Sequence, residues 1–284
     1  MQNRRDFLKT SSLISLAPTV PGFLANGAQA SHPQTDDRVL VVIQLDGGND
    51  GVNTLIPYTD EGYSKNRKEL FIKTEALLKL DDQFGLNRRM RGMNELWEND
   101  QLAIIPAVGY PNPNRSHDVS MAIWQTCRFD KLEQNSYGWL GRSLDQTDLD
   151  LDGAPTSMLI GNRRPPIALQ GRKSVASSLE NLDDYVLSDQ LKESMNEQAS
   201  PANGKVSDDL DAFLQRTKVD SYNLSERIEQ LTGKVDDSSR YPATKLAGNL
   251  KTISQLLKSG FGTRVFYAIQ GGYDTHAAQQ RSHG

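Results

Sequence analysis

The first residues that could do chemistry lie in the segment 46–51, which has the sequence DGGNDG. It places two carboxylates and an amide among three glycines, and it directly follows the apolar run Val39–Leu45. A continuous apolar run of this length predicts a strand buried on both faces, in the middle of a sheet. Because ligands gather at the carboxyl ends of such strands, Asp46 and Asp50 are candidate ligands of a divalent metal ion.

A second group of candidate ligands follows another apolar run, Thr263–Ile269. Asp274 and His276 are two residues apart, so on an extended chain their side chains point the same way and can hold one ion. Carboxylate oxygens and an imidazole nitrogen together suit zinc, manganese or iron. The alternatives are a turn or capping role for Asp274 and an ordinary hydrogen-bonded surface position for His276. Together with the acidic first loop, the pair predicts a divalent metal cofactor.

A third group follows the run Gln101–Val108, which predicts a second buried strand. After a break rich in glycine and proline, Ser116 stands at the predicted start of a helix, where backbone N–H groups attract anions. Ser116 could therefore attack a phosphoryl or sulfuryl group while Arg115 binds its oxygens. A helix N-cap is the commoner use of such a serine. His117 could be a ligand, a base or a turn residue.

Three predicted strands must position these groups, and segments of helical periodicity separate them. Strands that alternate with helices predict a largely parallel sheet, with all three loops at one edge. The spacing of Leu86, Met90, Met93 and Trp97 predicts an amphipathic helix over Leu86–Asn99, with these four residues in the core. The remaining predictions are a short helix near Thr74–Leu80, helices over Arg115–Cys127 and Tyr137–Leu144, short strands at Thr156–Ile160 and Ile167–Leu169, and a helical insertion at about 175–258.

The composition limits the classes of protein to which the chain can belong. Its 284 residues suffice for one large α/β domain or two small ones. The formal net charge of −4 gives no basic excess, which argues against nucleic acid as a partner. Since Cys127 is the only cysteine, no disulfide can form within the chain, and its stability must come from the core and from any bound metal.

Residues 1–30 resemble a twin-arginine export signal rather than part of the fold. Arg4 and Arg5 precede a modest apolar region, and Ala28 and Ala30 form a small-x-small cleavage site. The signal implies the Tat translocase as a partner during export and a periplasmic or secreted location. The apolar region is shorter than the roughly 20 residues of a spanning helix, so no stable membrane insertion is expected after cleavage.

Five segments in order carry a resemblance to a known family. They are RRDFLK, LDGGNDGVNTLIPY, VGYPNPNRSHDVSMAIWQT, YGWLGRSLD and GGYDTHAAQ with a following HG. This order resembles the DUF1501 family, whose members are Tat-exported bacterial proteins similar to the alkaline phosphatase and sulfatase superfamily. The resemblance covers nearly the whole chain except the stretch from about Val175 to Lys258.

The resemblance implies an alkaline phosphatase-like sandwich over residues 31–284, with a largely parallel central sheet flanked by helices. It implies divalent metals at the carboxyl edge of the sheet, held by Asp274, His276 and an acidic residue of the first loop, for which Asp50 fits better than Asp46. Ser116 would take the place of the nucleophile. The function implied is hydrolysis of a phosphate or sulfate ester; the alternative is a non-catalytic binding or scaffold module, for instance for a polysaccharide.

One departure from the family pattern lies at the end of the chain. The Asp-His-Gly motif that supplies further ligands in the family does not occur before Gly284. We therefore expect the fold to be incomplete at the C-terminus, as in the N-terminal part of a longer protein. The alternative is a short protein with an exposed sheet edge and a partly built metal site.

Overall fold

The computed structural model describes residues 38–129, 137–147, 151, 154–180, 182, 226–228, 230, 239–276 and 279. The chain divides into two compact units. The large unit comprises the described residues up to Gln44 together with Asp118–Ile269, and the small unit comprises Leu45–His117 and the described residues from Gln270 onward. The signal residues Arg4, Arg5, Ala28 and Ala30, and most of the predicted helical insertion, lie outside the described residues.

Within the described residues, seven strands and six α-helices have both ends defined. The strands are β1 (Leu40–Leu45), β2 (Leu55–Pro57), β3 (Leu77–Lys79), β4 (Phe84–Asn87), β5 (Ser157–Ile160), β6 (Ser177–Leu179) and β7 (Val265–Gln270). The helices are α1 (Gly51–Thr54), α2 (Glu61–Asn66), α3 (Arg91–Glu98), α4 (His117–Thr126), α5 (Trp139–Leu144) and α6 (Lys245–Lys258).

A parallel four-stranded sheet, in the order β1-β7-β5-β6, is the centre of the large unit. Met158 of β5 pairs with Phe266 of β7 on one side and with Ser177 of β6 on the other. The prediction of an α/β fold with a parallel sheet is therefore confirmed. β6 itself was missed, because the segment after Val175 was predicted to be helical.

The sheet is buried on both faces where β5 and β7 run side by side. Met158 and Phe266 belong to a cluster that packs against Ile253 and Leu256 of α6. On the opposite face, Leu159, Val265 and Tyr267 pack against Leu140 of α5 and against the 3-10 turn Ile167–Leu169, which the sequence predicted as a strand. Since successive side chains of a strand point to opposite faces, the continuous apolar runs of β5 and β7 fill both layers.

The predicted central position of the strand after Val39 is wrong. Among the described strands, β1 lies at an edge of the four-stranded sheet. Its first three side chains are half-buried, and Ile43 and Leu45 are exposed. A run of apolar residues does not distinguish a central strand from an edge strand, because the number of neighbours is decided by residues distant in sequence.

The prediction of a second buried strand at Gln101–Val108 is also wrong. The segment has no regular secondary structure, and Ile105 and Val108 are among its exposed side chains. Pro106 has no N–H to donate to a neighbouring strand, and Ala107 has a φ of +58°, which ends an extended conformation. Of the three strands predicted to end at candidate site residues, β1 and β7 therefore belong to the parallel sheet, and the segment Gln101–Val108 does not.

The small unit contains a three-stranded antiparallel sheet, in the order β2-β4-β3, that the sequence did not predict. Leu86 of β4 pairs with Leu55 of β2 and Leu78 of β3 and is almost fully buried. Strands of three or four residues are too short to show an alternating pattern, which explains the omission.

The helix predicted over Leu86–Asn99 is shorter than expected. Leu86 belongs to β4, and α3 begins only at Arg91, after Met90. Leu86 is buried as predicted, but Met93 is exposed and Trp97 is half-buried. The predicted short helix near Thr74–Leu80 is a 3-10 turn followed by β3. The helices α4 and α5 and the strands β5 and β7 lie where they were predicted.

Candidate metal centre

The two loops that carry most of the predicted ligands lie side by side. The backbone N–H of Asp46, directly after β1, donates to the carbonyl oxygen of Gln270, the last residue of β7, over 2.8 Å. β1 and β7 are neighbours in the parallel sheet, so their carboxyl ends meet at one edge. Both loops belong to the small unit.

Three side chains of the small unit converge at this place: His117, Asp274 and His276. Each offers one ligand atom such that all three atoms lie within 4.8 Å of one another. His276 Nε2 is 2.9 Å from Asp274 Oδ1, and His117 Nε2 is 3.7 Å from Asp274 Oδ2. The expected pairing of Asp274 with His276 is thus present, and His117, whose role the sequence left open, joins it.

The backbone geometry around the three converging side chains explains why the first loop contains glycines. Gly47 has a φ of +102°, and a Cβ built on it would lie 2.8 Å from the backbone nitrogen of Asp274 and 2.9 Å from its Cβ. Gly48 has a φ of +83°, and a Cβ there would lie 3.6 Å from Cε1 of His117. Only glycine combines this conformation with so close an approach, so the first loop can lie directly against the two ligand-bearing segments.

The donor set fits a divalent transition metal. Two imidazole nitrogens and a carboxylate oxygen suit zinc, manganese or iron, and three protein ligands leave a position for water or substrate. Neighbouring ligand atoms in a tetrahedral site are about 3.3 Å apart, as follows from bonds of about 2.0–2.1 Å. The side chains of His117, Asp274 and His276 are 52%, 45% and 80% exposed, so small rotations suffice to reach that spacing.

Asp50, the other favoured ligand, is engaged elsewhere. Its carboxylate forms an ion pair with the guanidinium of Arg67 and accepts hydrogen bonds from the amide of Gln279 and from the N–H of Asn53. Its side chain is 7% exposed. It caps α1, which begins at the next residue. This arrangement gives Asp50 a structural role in the first loop and does not bring it to the three converging side chains.

Of the other predicted site residues, Arg115 and Ser116 lie near the group in sequence and Asp46 does not. Asp46 is half-buried at the start of the first loop and is not one of the three converging residues. Arg115 and Ser116 are exposed and directly precede His117, the first residue of α4. The N–H of Ser116 donates to the side-chain oxygen of Asn114 over 2.8 Å. Because consecutive Cα atoms are about 3.8 Å apart, Ser116 lies next to the group through its bond to His117.

The sequence feature that could have identified His117 is its position directly after Ser116. A serine and a histidine side by side at the start of a helix place a hydroxyl and an imidazole on one loop. The position of that loop beside the other two depends on tertiary contacts that the sequence does not reveal.

Within the part of the chain that the structure describes, no helix is both long and apolar enough to cross a bilayer. Comparison with known proteins adds no relatives: no family model, no curated protein and no solved structure matches this chain.

Proposed function

We propose that the protein binds a divalent metal ion through His117, Asp274 and His276 and hydrolyses esters of phosphate or sulfate. The observation that carries this proposal is the convergence of two imidazoles and a carboxylate from two separate loops. Bound there, the metal would act as a Lewis acid toward the oxygens of the ester.

The residues beside the metal ligands supply the rest of the reaction. The Ser116 hydroxyl attacks the phosphorus or sulfur atom and gives its proton to solvent, while the bond to the ester oxygen breaks and that oxygen takes up a proton from solvent and leaves as the alcohol. Water then attacks the seryl ester, which releases inorganic phosphate or sulfate and regenerates the hydroxyl. The guanidinium of Arg115 binds the non-bridging oxygens of the ester group and holds it in line for attack.

The proposal extends to the fold and the location. An alkaline phosphatase-like arrangement of the DUF1501 type and export by the Tat translocase to the periplasm or the outside of the cell accord with it. What supports the fold is the parallel sheet whose neighbouring strands β1 and β7 end at the loops of the candidate site. The motifs and the twin-arginine pattern of the N-terminus support the family and the location.

Metal content tests the first half of the proposal. We expect the purified full chain, loaded with zinc or manganese and dialysed, to retain one ion per molecule. Asp274→Asn should lower the affinity at least tenfold, because it removes the charged ligand between the two histidines. Asp82→Asn changes an exposed aspartate of the same unit and is the control. Equal metal content in both variants, or none in the unmodified protein, would overturn the site.

Turnover tests the second half. With an aryl phosphate and an aryl sulfate as substrates, Ser116→Ala should abolish hydrolysis and leave the metal content unchanged. Ser64→Ala, at an exposed serine of α2, should keep full activity. A Ser116→Ala variant as active as its control would reduce Ser116 to a helix cap. Stoichiometric metal without any turnover would favour the non-catalytic binding module.

A further inference from the structure

A cleft of about 800 Å³ lies within the small unit, beside the candidate metal centre. Its walls come from the first loop with α1 and β2, from Phe84 of β4, from the segment 104–108, and from the loop after β7. A phosphate or sulfate group alone would fill only a small part of this volume. Clefts of this size hold small organic ligands.

The walls of the cleft are largely apolar. Five of the side chains that line it are Val52, Leu55, Phe84, Ile104 and Ile105. Ile105 is 77% exposed and Val52 is also exposed, so these apolar surfaces face solvent unless a ligand covers them. Covering apolar surface is favourable by about 25 cal/mol for each Å² removed from water.

The charges that the described residues bring to the cleft neutralise each other. Of the described residues that line it, only Asp50 and Arg67 are charged, and they form an ion pair with each other. Tyr273 also lines the cleft, and its side chain is half-buried. Within its described walls, the cleft therefore offers neither an unpaired cation to an anionic ligand nor an unpaired carboxylate to a cationic one.

The cleft and the metal centre share their loops. Tyr273 and Thr275 line the cleft, and they flank Asp274, one of the three converging residues. Gly48 lines the cleft as well, and a Cβ on it would lie 3.6 Å from the ring of His117. The cleft and the three converging side chains therefore meet at Gly48 and at the segment 273–275.

We propose that this cleft binds the alcohol part of the ester and selects an uncharged, largely apolar group such as an aryl ring. The inference rests on the proposed function, to which it adds the substrate class. Its binding half is measurable without catalysis, since an apolar alcohol should enter the cleft in the absence of metal and ester.

Binding of 1-naphthol to the metal-free full chain tests the inference directly. We expect saturable binding by fluorescence, and Ile105→Asp should weaken it at least tenfold because it places a charge in the apolar wall. Val175→Asp is the matched control: Val175 is also 77% exposed but does not line the cleft. An absence of saturable binding, or equal effects of the two substitutions, would overturn the inference. Because both positions are exposed, neither variant should unfold the protein.

Kinetics separate this inference from the proposed function. If esters are hydrolysed, the ratio of kcat/KM for 1-naphthylmethyl phosphate to that for methyl phosphate, two esters of primary alcohols that leave about equally well, should exceed ten and should fall at least tenfold in Ile105→Asp. A ratio near one would leave the hydrolase standing and overturn the cleft. Naphthol binding that Ile105→Asp weakens, without hydrolysis of any ester, would instead support the cleft and overturn the hydrolase.

Discussion

The two units use close packing for different purposes. In the large unit, β5 and β7 are buried on both faces, and Gly141 of α5 and Gly138 directly before it lie against backbone. In the small unit, the closest approach, of Gly47 to Asp274, brings together side chains that remain exposed. The large unit is therefore expected to respond to substitution mainly in stability, and the loops of the small unit mainly in ligand binding.

The largest expected effect lies in the large unit, at Gly141 of α5. A Cβ built there would overlap the backbone of Gln170 and Gly171. Because neither backbone can rotate away as a side chain would, Gly141→Ala should lower the free energy of unfolding by about 3 kcal/mol or more. Chemical denaturation of the full chain measures this change in the free energy of unfolding.

The control for this substitution is Gly248→Ala in α6, where a Cβ would meet nothing within 4 Å. Alanine is the better helix former by about 1 kcal/mol, so this variant should be unchanged or slightly more stable. If both variants lost the same stability, close packing of α5 would not explain the result.

The next largest effect concerns the ion pair that holds the first loop of the small unit. Asp50→Asn leaves the guanidinium of Arg67, which is 26% exposed, without its carboxylate. Breaking a buried pair costs about 3–5 kcal/mol, and partial exposure of Arg67 should reduce this to about 2 kcal/mol. Differential scanning calorimetry measures this loss of stability as a lower melting temperature.

A control variant and a binding measurement sharpen the prediction for Asp50→Asn. In the control, Glu61→Gln breaks the exposed ion pair with Lys65 in α2 and should lower the free energy of unfolding by under about 0.5 kcal/mol. Folded Asp50→Asn should still bind metal, because Asp50 is not one of the three converging residues. A complete loss of metal with unchanged stability would make Asp50 a ligand after all.

The third effect is on binding rather than stability. Gly47→Ala would place a Cβ 2.8 Å from the backbone nitrogen of Asp274 at a φ of +102°. Moving Asp274 away should weaken metal binding about 10–100-fold, which is the usual cost of disturbing the support of a ligand. Gly51→Ala, where a Cβ meets nothing within 4 Å, is the control in the same loop. Equal affinities in the two variants would show that the loop tolerates the displacement.

The sequence predicted the pairing of Asp274 with His276 because both features behind it are local. A strand end and a spacing of two residues are visible in one segment, and the meeting of parallel strand ends is a general rule. It also predicted the strands β5 and β7, from their apolar runs, and the helices α4 and α5.

What the sequence missed depends on contacts between distant segments. His117 could not be assigned, because its place beside Asp274 depends on how three loops pack. Asp50 was favoured as a ligand although Arg67, seventeen residues away, forms an ion pair with it. In Gln101–Val108, Pro106 and the left-handed Ala107 oppose a strand that the apolar pattern favoured.

The smallest expected effect is a pH dependence in the large unit. Desolvation raises the pKa of Asp145, but hydrogen bonds from the Ser174 hydroxyl and from the N–H groups of Ser174, Lys173 and Arg172 outweigh it and hold the pKa at about 2. Because the pKa is lower in the folded state, the stabilisation is complete above the unfolded value near 4. It is lost as the pH falls toward 2.

Asp145→Asn should therefore be less stable than the unmodified protein at pH 6, and the difference should shrink toward zero as the pH approaches 2. Since Asp145 is only half-buried, screening by solvent should keep the difference at pH 6 near or below about 1 kcal/mol. Asp82→Asn, at an exposed aspartate for which no hydrogen bond is found in the described residues, should show no such convergence. A difference that stays constant from pH 6 to pH 2 would mean that the charge of Asp145 contributes nothing, and that Asp145→Asn lowers stability only because an amide has one acceptor oxygen where the carboxylate has two.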